Sequence, residues 1–191
     1  MRFPFYKQFD SMDCGPTCLR MIAKYHGRNY TLESLRKKSK INREGVSLLG
    51  ISEAAEQVGF RTIGVRLTWE KLQGEATLPC IVYWDQVHFV IVYKIRNDKV
   101  HIADPAKGKI TYSKSAFLKQ WIQNKENGQP TGIALLLEPT PKFFDLEGET
   151  GSELNFGRLL QYVTPYKSLV VQLALGLLAG SILQLIFPFL T

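Results

Sequence analysis

Residues 8–22, Gln8-Phe9-Asp10-Ser11-Met12-Asp13-Cys14-Gly15-Pro16-Thr17-Cys18-Leu19-Arg20-Met21-Ile22, decide how this chain reads. A helix begins inside them. Asp13 or Cys14 lies at the cap, and Pro16 suits a first turn because its missing N–H is not needed there. Cys18, Leu19, Met21 and Ile22 form an apolar face that ends at Gly27. Cys14 thus sits at a helix N-terminus, where unpaired N–H groups and the helix dipole stabilise an anion. A thiol so placed is a candidate nucleophile.

Working outward, the spacing predicts a second helix over Leu32–Ser39. A third covers Ser47–Val58, with Leu48, Leu49, Ile51, Ala54, Ala55 and Val58 on one side and Gly59 as its stop. After Gly59 the pattern turns extended: RTIGVRL from Arg61, PCIVYW from Pro79, HFVIVYKIR from His88, KVHIAD from Lys99, GKITY from Gly108 and GIALLLE from Gly132. These runs are rich in β-branched and aromatic residues and bounded by turn formers. Short helices near Thr68–Leu72 and Ser113–Ile122 each open on a hydroxyl residue able to cap them. Helices first and strands later predict an α+β domain over residues 1–138, its N-terminal helices packed on an antiparallel sheet.

The chain has 191 residues, 45% of them hydrophobic and 21% charged, which excludes a disordered chain. Three cysteines cannot all pair with one another, so a reducing compartment is expected, and Cys18 and Cys80 read as packing residues rather than metal ligands. No metal site is expected. Met1–Asp10 mixes charge with aromatics and does not read as a cleavable export signal, so the sequon Asn29-Tyr30-Thr31 is expected to stay bare. Arg36, Lys37, Lys38, Lys40 and Arg43 form a basic cluster without interleaved aromatics. It reads as a solvated helix face, open to anionic lipid or an acidic peptide, and not as a nucleic-acid site. Trp84 reads as a core or rim aromatic close to His88.

Past Glu138 the composition turns to Pro, Gly and acid, and residues 139–154 read as a linker. Asn155–Tyr162 reads as a short amphipathic helix on a membrane surface. Ser168–Thr191 then runs 24 residues without a formal charge. A buried soluble helix is the alternative, but such helices rarely run so long uncharged, and residues 155–191 read as a surface helix followed by one transmembrane helix. Gly176 and Gly180 are spaced for close helix approach in lipid. Arg158 and Lys167 precede the span and no charge follows it, which predicts a cytoplasmic-membrane protein with its large domain on the cytoplasmic side.

A thiolate nucleophile needs a base oriented by a third group. His88, opening HFVIVYKIR, and Asp104, closing KVHIAD, are the candidates. The two strands are expected to be antiparallel neighbours joined near Asn97-Asp98. A regular two-residue turn there would put Ile91 opposite Asp104 and His88 on the wrong face, so an odd connection or a bulge is expected. Gln8 is placed to donate to an oxyanion beside the Cys14 N–H. Taken singly, each residue also has a structural explanation: a small core thiol, a strand histidine, an ordinary Asp-Pro turn.

Gln8, the run Asp13-Cys14-Gly15-Pro16 followed by Leu19-Arg20-Met21-Ile22, then Gly45-Val46-Ser47-Leu48, His88-Phe89-Val90 and Asp104-Pro105 together resemble the bacteriocin-processing cysteine peptidase domain of peptidase-containing ABC transporters. The resemblance covers about the first 140 residues. Beyond the linker, the surface helix and Pro188-Phe189-Leu190-Thr191 resemble the entry to the first transmembrane helix of an ABC exporter. It implies a papain-like fold with Cys14 as nucleophile, His88 as base, Asp104 as its orienting partner and Gln8 in the oxyanion hole. It further implies cleavage of a peptide precursor after a double-glycine leader. A narrow channel to the thiolate would admit only bare backbone, which gives that signature a physical reason. The alternatives are a non-catalytic docking module that recruits substrates to the exporter and, more distantly, a papain-like enzyme acting on another amide. No G-x-x-x-x-G-K-[ST] loop occurs, so no cofactor is expected in this chain. ATP and magnesium, the rest of the transporter and a homodimer belong to a full-length protein.

Overall fold

The computed structural model of the protein describes residues 2–41, 45–122, 124–126, 128–146, 148–149 and 167–186. Arg43 and the expected surface helix Asn155–Tyr162 lie outside them. The chain divides into two units, Met1–Gly151 and Ser152–Thr191.

The first unit opens with a 3₁₀ turn, Ser11–Asp13, that leads directly into α1, Cys14–Tyr25. Next come α2, Leu32–Lys38, and α3, Leu48–Gln57. Thr31 and Ser47 accept from Ser34 N and Gly50 N, the N-cap bonds their side chains favour. The strands follow as β1 (Phe60–Leu67), β2 (Cys80–Trp84), β3 (His88–Arg96), β4 (Lys99–Asp104), β5 (Gly108–Ser113), β6 (Asn124–Glu126) and β7 (Gln129–Pro139). They form one antiparallel sheet in the order β1-β7-β2-β3-β4-β5, with β6 paired to β7. The expected α+β class, with N-terminal helices on an antiparallel sheet, is what forms.

Two further helices, α4 (Trp69–Gly74) and α5 (Lys114–Trp121), contribute to a second core. On one face Ile81, Phe89 and Ile91 pack with Leu19, Ile22 and Ile51 of α1 and α3. On the other, Val82, Trp84, Val90 and Val92 pack with Trp69, Phe117 and Trp121. The central strands are therefore buried on both faces, which explains the unbroken apolar run Phe89–Val92. Cys18 and Cys80 are packing residues in these two cores, and Trp84 is a core aromatic. Ser113 caps α5, accepting from Ala116 N, but Thr68 makes no side-chain cap bond to α4.

The stretch read as linker is ordered in its first part. Pro141–Asp145 forms α6, whose Phe143 is fully buried with its ring centroid 4.5 Å from that of Phe60 and 6.3 Å from that of His26. Gly59 makes room for it: its φ is +96°, and a Cβ there would come within 2.5 Å of Phe143 Cα. Further on, Arg28 donates to Phe144 O, and Glu149 accepts from Thr31 N (3.1 Å), from Thr31 Oγ1 (2.7 Å) and from Ser34 Oγ. The packed domain thus extends past residue 138, because Phe143 has an apolar recess to fill and Glu149 meets the N-terminus of α2. Phe143→Ala is expected to lower unfolding stability by ~3–5 kcal/mol, read as an earlier urea midpoint at unchanged m.

The second unit is described by a single helix, Lys167–Ile186. Among the described residues no helix is long and apolar enough to cross a membrane. Residues 187–191 of the expected span lie outside them.

Candidate active site

The N-terminus of α1 is fixed before Cys14 is reached. Asp10 accepts from Met12 N (3.0 Å), while Asp13 Oδ2 accepts from Asp10 N (3.3 Å), a reciprocal capping box for the 3₁₀ turn. Asp13 takes the N-cap position of α1 but makes no side-chain cap bond to it. Its fully buried carboxylate instead takes Arg36 Nε of α2 at 2.5 Å. Cys14 follows as the first helical residue, and Gly15 lets α1 close on its neighbours, since a Cβ there would lie 2.6 Å from Val46 Cγ1 and from Ile51 Cδ1. Cys18, one turn along, donates to Phe89 O at 3.4 Å and ties α1 to β3 beside His88.

His88 enters β3 opposite Trp84, across a turn in which Asp85 and Gln86 adopt φ of 48° and 59°. The β3–β4 turn is the two-residue Asn97-Asp98, both at positive φ, joining Arg96 to Lys99. The register then shifts between Val92 and Lys94, leaving Tyr93 as the extra residue of a bulge. Ile91 consequently faces Ala103 rather than Asp104. That one-residue slip carries His88 and Asp104 to the same face, as the expected bulge requires. Phe3 stacks on the Tyr93 ring at 4.7 Å and 6°.

Asp104 begins the β4–β5 turn, and its Oδ1 accepts from Ala106 N (2.8 Å) and Lys107 N (3.3 Å) while lying 2.9 Å from His88 Nε2. An Asx turn therefore aims the carboxylate at the imidazole. With Nε2 taken, Nδ1 is the ring nitrogen left for Cys14, whose side chain acts on the imidazole and favours its charged form. Burial alone would push the His88 pKa down. The bonds to Asp104 and Cys14 and their negative charge outweigh it and raise the pKa to about 9. Burial likewise raises the Asp104 pKa, but the His88 bond and the two turn N–H groups bring it below the usual carboxylate range. Burial pushes the Cys18 thiol well up, helped by Cys14 and Asp104, and pushes Cys80 to about 12. Those two thiols are poor nucleophile candidates; Cys14 alone has an imidazole partner.

Gln8 N donates to Pro105 O at 3.0 Å, fastening the N-terminal segment to the turn that Asp104 begins. Its buried side-chain oxygen has no hydrogen-bond partner among the described residues, and Gln8 lines one cavity with His88 and Asp104. Cys14 lines an adjoining cavity of about 370 Å³ with Gly45, Val46 and Tyr83. The two meet at Ser11 and Val87, which line both. The structure thus gathers Cys14, His88 and Asp104 and sets Gln8 in the lining of the cavity that His88 and Asp104 share.

Sequence reasoning missed Arg36, which was grouped with a solvated basic face. Its neighbours are partnered too: Lys37 with Glu33 at 2.9 Å and Lys40 with Glu53 at 2.7 Å. The signal for Arg36 was the acidic residue directly before Cys14, which must find a cation if the helix buries it.

Residues 2–142 match the model of the peptidase C39 family. The Lactococcus lactis lactococcin-G-processing and transport ATP-binding protein LagD is 36% identical over 149 residues, covering 74% of this chain and 19% of LagD. The Escherichia coli probable microcin-H47 secretion/processing ATP-binding protein MchF is 33% identical over 142 residues, with the same coverage of each chain. The chain thus spans about a fifth of the length of these curated relatives. A double glycine motif protease from an AMS/PCAT transporter, solved in complex with the leader peptide, superposes with a TM-score of 0.65 at 31% identity, covering 73% of this chain and 93% of that one. The peptidase domain of Streptococcus ComA gives 0.62 at 31% identity, with 73% and 100% covered. From the matched residues and these relatives, the chain belongs to the peptidase C39 family.

Proposed function

We propose that this chain is a cysteine endopeptidase that removes double-glycine leaders from ribosomal peptide precursors, and that it forms the N-terminal part of an ABC exporter of those peptides. The observation that carries the reading is the His88 imidazole held 2.9 Å from Asp104 through Nε2 and electrostatically coupled to Cys14. In this reading Cys14 attacks, as the thiolate, the carbonyl carbon of the second glycine. The His88 imidazolium gives its proton to the leaving amide nitrogen as the C–N bond breaks, leaving a thioester. Water then attacks that thioester, His88 takes up its proton, and the thiolate departs from a free leader carboxylate. Asp104 holds the ring and its positive charge in place.

Gln8 completes the site as an oxyanion donor beside the Cys14 N–H. The Gln8 N–H to Pro105 O bond fixes the backbone that carries this amide, whose NH2 group is the donor in this reading. Gln8→Ala is therefore expected to lower kcat by ~10²–10³ with little change in KM, measured on a leader-peptide substrate.

The exporter assignment is supported by similarity that continues beyond the domain. The Lactococcus lactis lactococcin transport/processing protein LcnC-like is 31% identical over 179 residues, 90% of this chain. The helix Lys167–Ile186 is the described part of a longer uncharged run, residues 168–191 of the sequence. In this reading it is the start of the transporter's membrane region, with the peptidase on the cytoplasmic side and ATP hydrolysis supplied by domains beyond this chain. The test incubates the chain with a precursor bearing a double-glycine leader and follows the products by mass spectrometry. Scission after the second glycine supports the peptidase; leader binding without scission assigns the docking role instead.

A further inference from the structure

We propose that the cavity on the His88 side of the thiol holds the first residues of the released peptide and selects acidic side chains there through Lys107 and Lys119. The inference rests on the peptidase reading. A general acid must lie within hydrogen-bond reach of the nitrogen it protonates, so the chain that follows the scissile bond leaves over His88 and not over Cys14. The two cavities that meet at Ser11 and Val87 differ accordingly. The Cys14 side measures about 370 Å³, whereas the His88 side, at about 740 Å³, is twice as large. A small space suits bare glycine backbone, and a larger one suits side chains that vary between released peptides.

The larger cavity has a distinct charge pattern. Buried Trp84 contributes apolar surface to its lining, and the remaining charged residues are Asp85, Lys107 and Lys119, since Asp104 is matched by His88. Neither lysine is in an ion pair among the described residues. Both are carried by elements fixed relative to the imidazole. Lys107 belongs to the turn whose N–H groups bind Asp104, and Lys119 precedes Gln120, whose carbonyl takes Asp85 N at 3.1 Å. Two unpaired cations against one carboxylate attract an acidic residue and repel a basic one, which is discrimination by charge rather than by shape.

The experiment compares precursors identical through the second glycine, with Asp, Asn or Lys at each of the first four released positions. At one or more positions kcat/KM for Asp is expected to exceed that for Lys by about tenfold at low salt, with Asn between, the ratio shrinking as salt screens the rim. The ratio is expected to fall toward unity in Lys107→Gln/Lys119→Gln. A ratio near unity at all four positions, or one unchanged in the double variant, overturns the proposal. Binding of free hexapeptides to Cys14→Ala, read by fluorescence anisotropy, provides a measure that needs no turnover. If no precursor is cut, the peptidase reading fails, and the cavity is judged by anisotropy alone: tighter binding of the acidic hexapeptide upholds its charge preference and equal binding of both overturns it.

Discussion

Cys14→Ala and His88→Ala are each expected to reduce cleavage of a double-glycine precursor by ~10⁴ or more, with the double variant no slower than either single one. The reason is geometric. Cys14 is the one thiol of the three with an imidazole partner, and His88 reaches both it and Asp104, so removing either end leaves nothing for the other to act on. Single-turnover mass spectrometry of product formation reads the loss. Retained leader affinity in Cys14→Ala separates lost chemistry from a lost fold. Cleavage that survives in Cys14→Ala would place the nucleophile elsewhere and end the assignment.

The second large effect concerns pH. His88 carries its proton up to about 9 because Asp104 and Cys14 favour the imidazolium over the opposing effect of burial. The proton is needed at the leaving nitrogen, so activity is expected to hold below that value and to fall as pH rises through it. The apparent pKa of this limb belongs to the coupled Cys14–His88 pair rather than to either group. Asp104→Asn removes the negative charge and alters the acceptor at Nε2. The limb is expected to move to lower pH, and kcat/KM at neutral pH to fall by ~10³ as the imidazolium loses its support. Measuring kcat/KM from pH 5 to 10 for both proteins checks both parts; an unmoved alkaline limb would detach Asp104 from the reacting pair.

How much of this was legible depended on whether a residue's role was local. α1 was readable because Pro16, the apolar face and Gly27 all lie within one stretch, and β3 because its apolar run is continuous. Cys14, His88 and Asp104 could be listed from chemistry, but their meeting turned on a single surplus residue. The parity argument required a bulge or an odd turn, and no local signal singled out Tyr93, whose ring is held by Phe3 at the far end of the chain segment. α6 was lost to its composition. Pro141 and the acids around it read as a linker, and the recess that accepts Phe143 is made by Gly59, Phe60 and His26, more than eighty residues earlier. Arg36 was misread because adjacent lysines resembled a uniform basic face, whereas burial of Asp13 selects one of the cations. β6 carries the sequence Asn-Lys-Glu, which has no strand propensity and owes its form to its pairing with β7.

The strap from Pro141 to Glu149 also determines where mechanical load enters the domain. Its grips are Phe143 against Phe60 and His26, Phe144 O on Arg28, and Glu149 on Thr31 and Ser34, the last two between the C-terminal end of α1 and the first turn of α2. Cys14 rides on the opposite end of the same 12-residue helix, about 18 Å away at the α-helical rise. A pull on the chain beyond Glu149 is therefore taken up at one end of a stiff rod while the thiol sits at the other, and the β4–β5 turn that orients His88 bears none of it directly. Tension from downstream segments therefore meets the Glu149 and Phe144 contacts before it reaches the residues around Cys14.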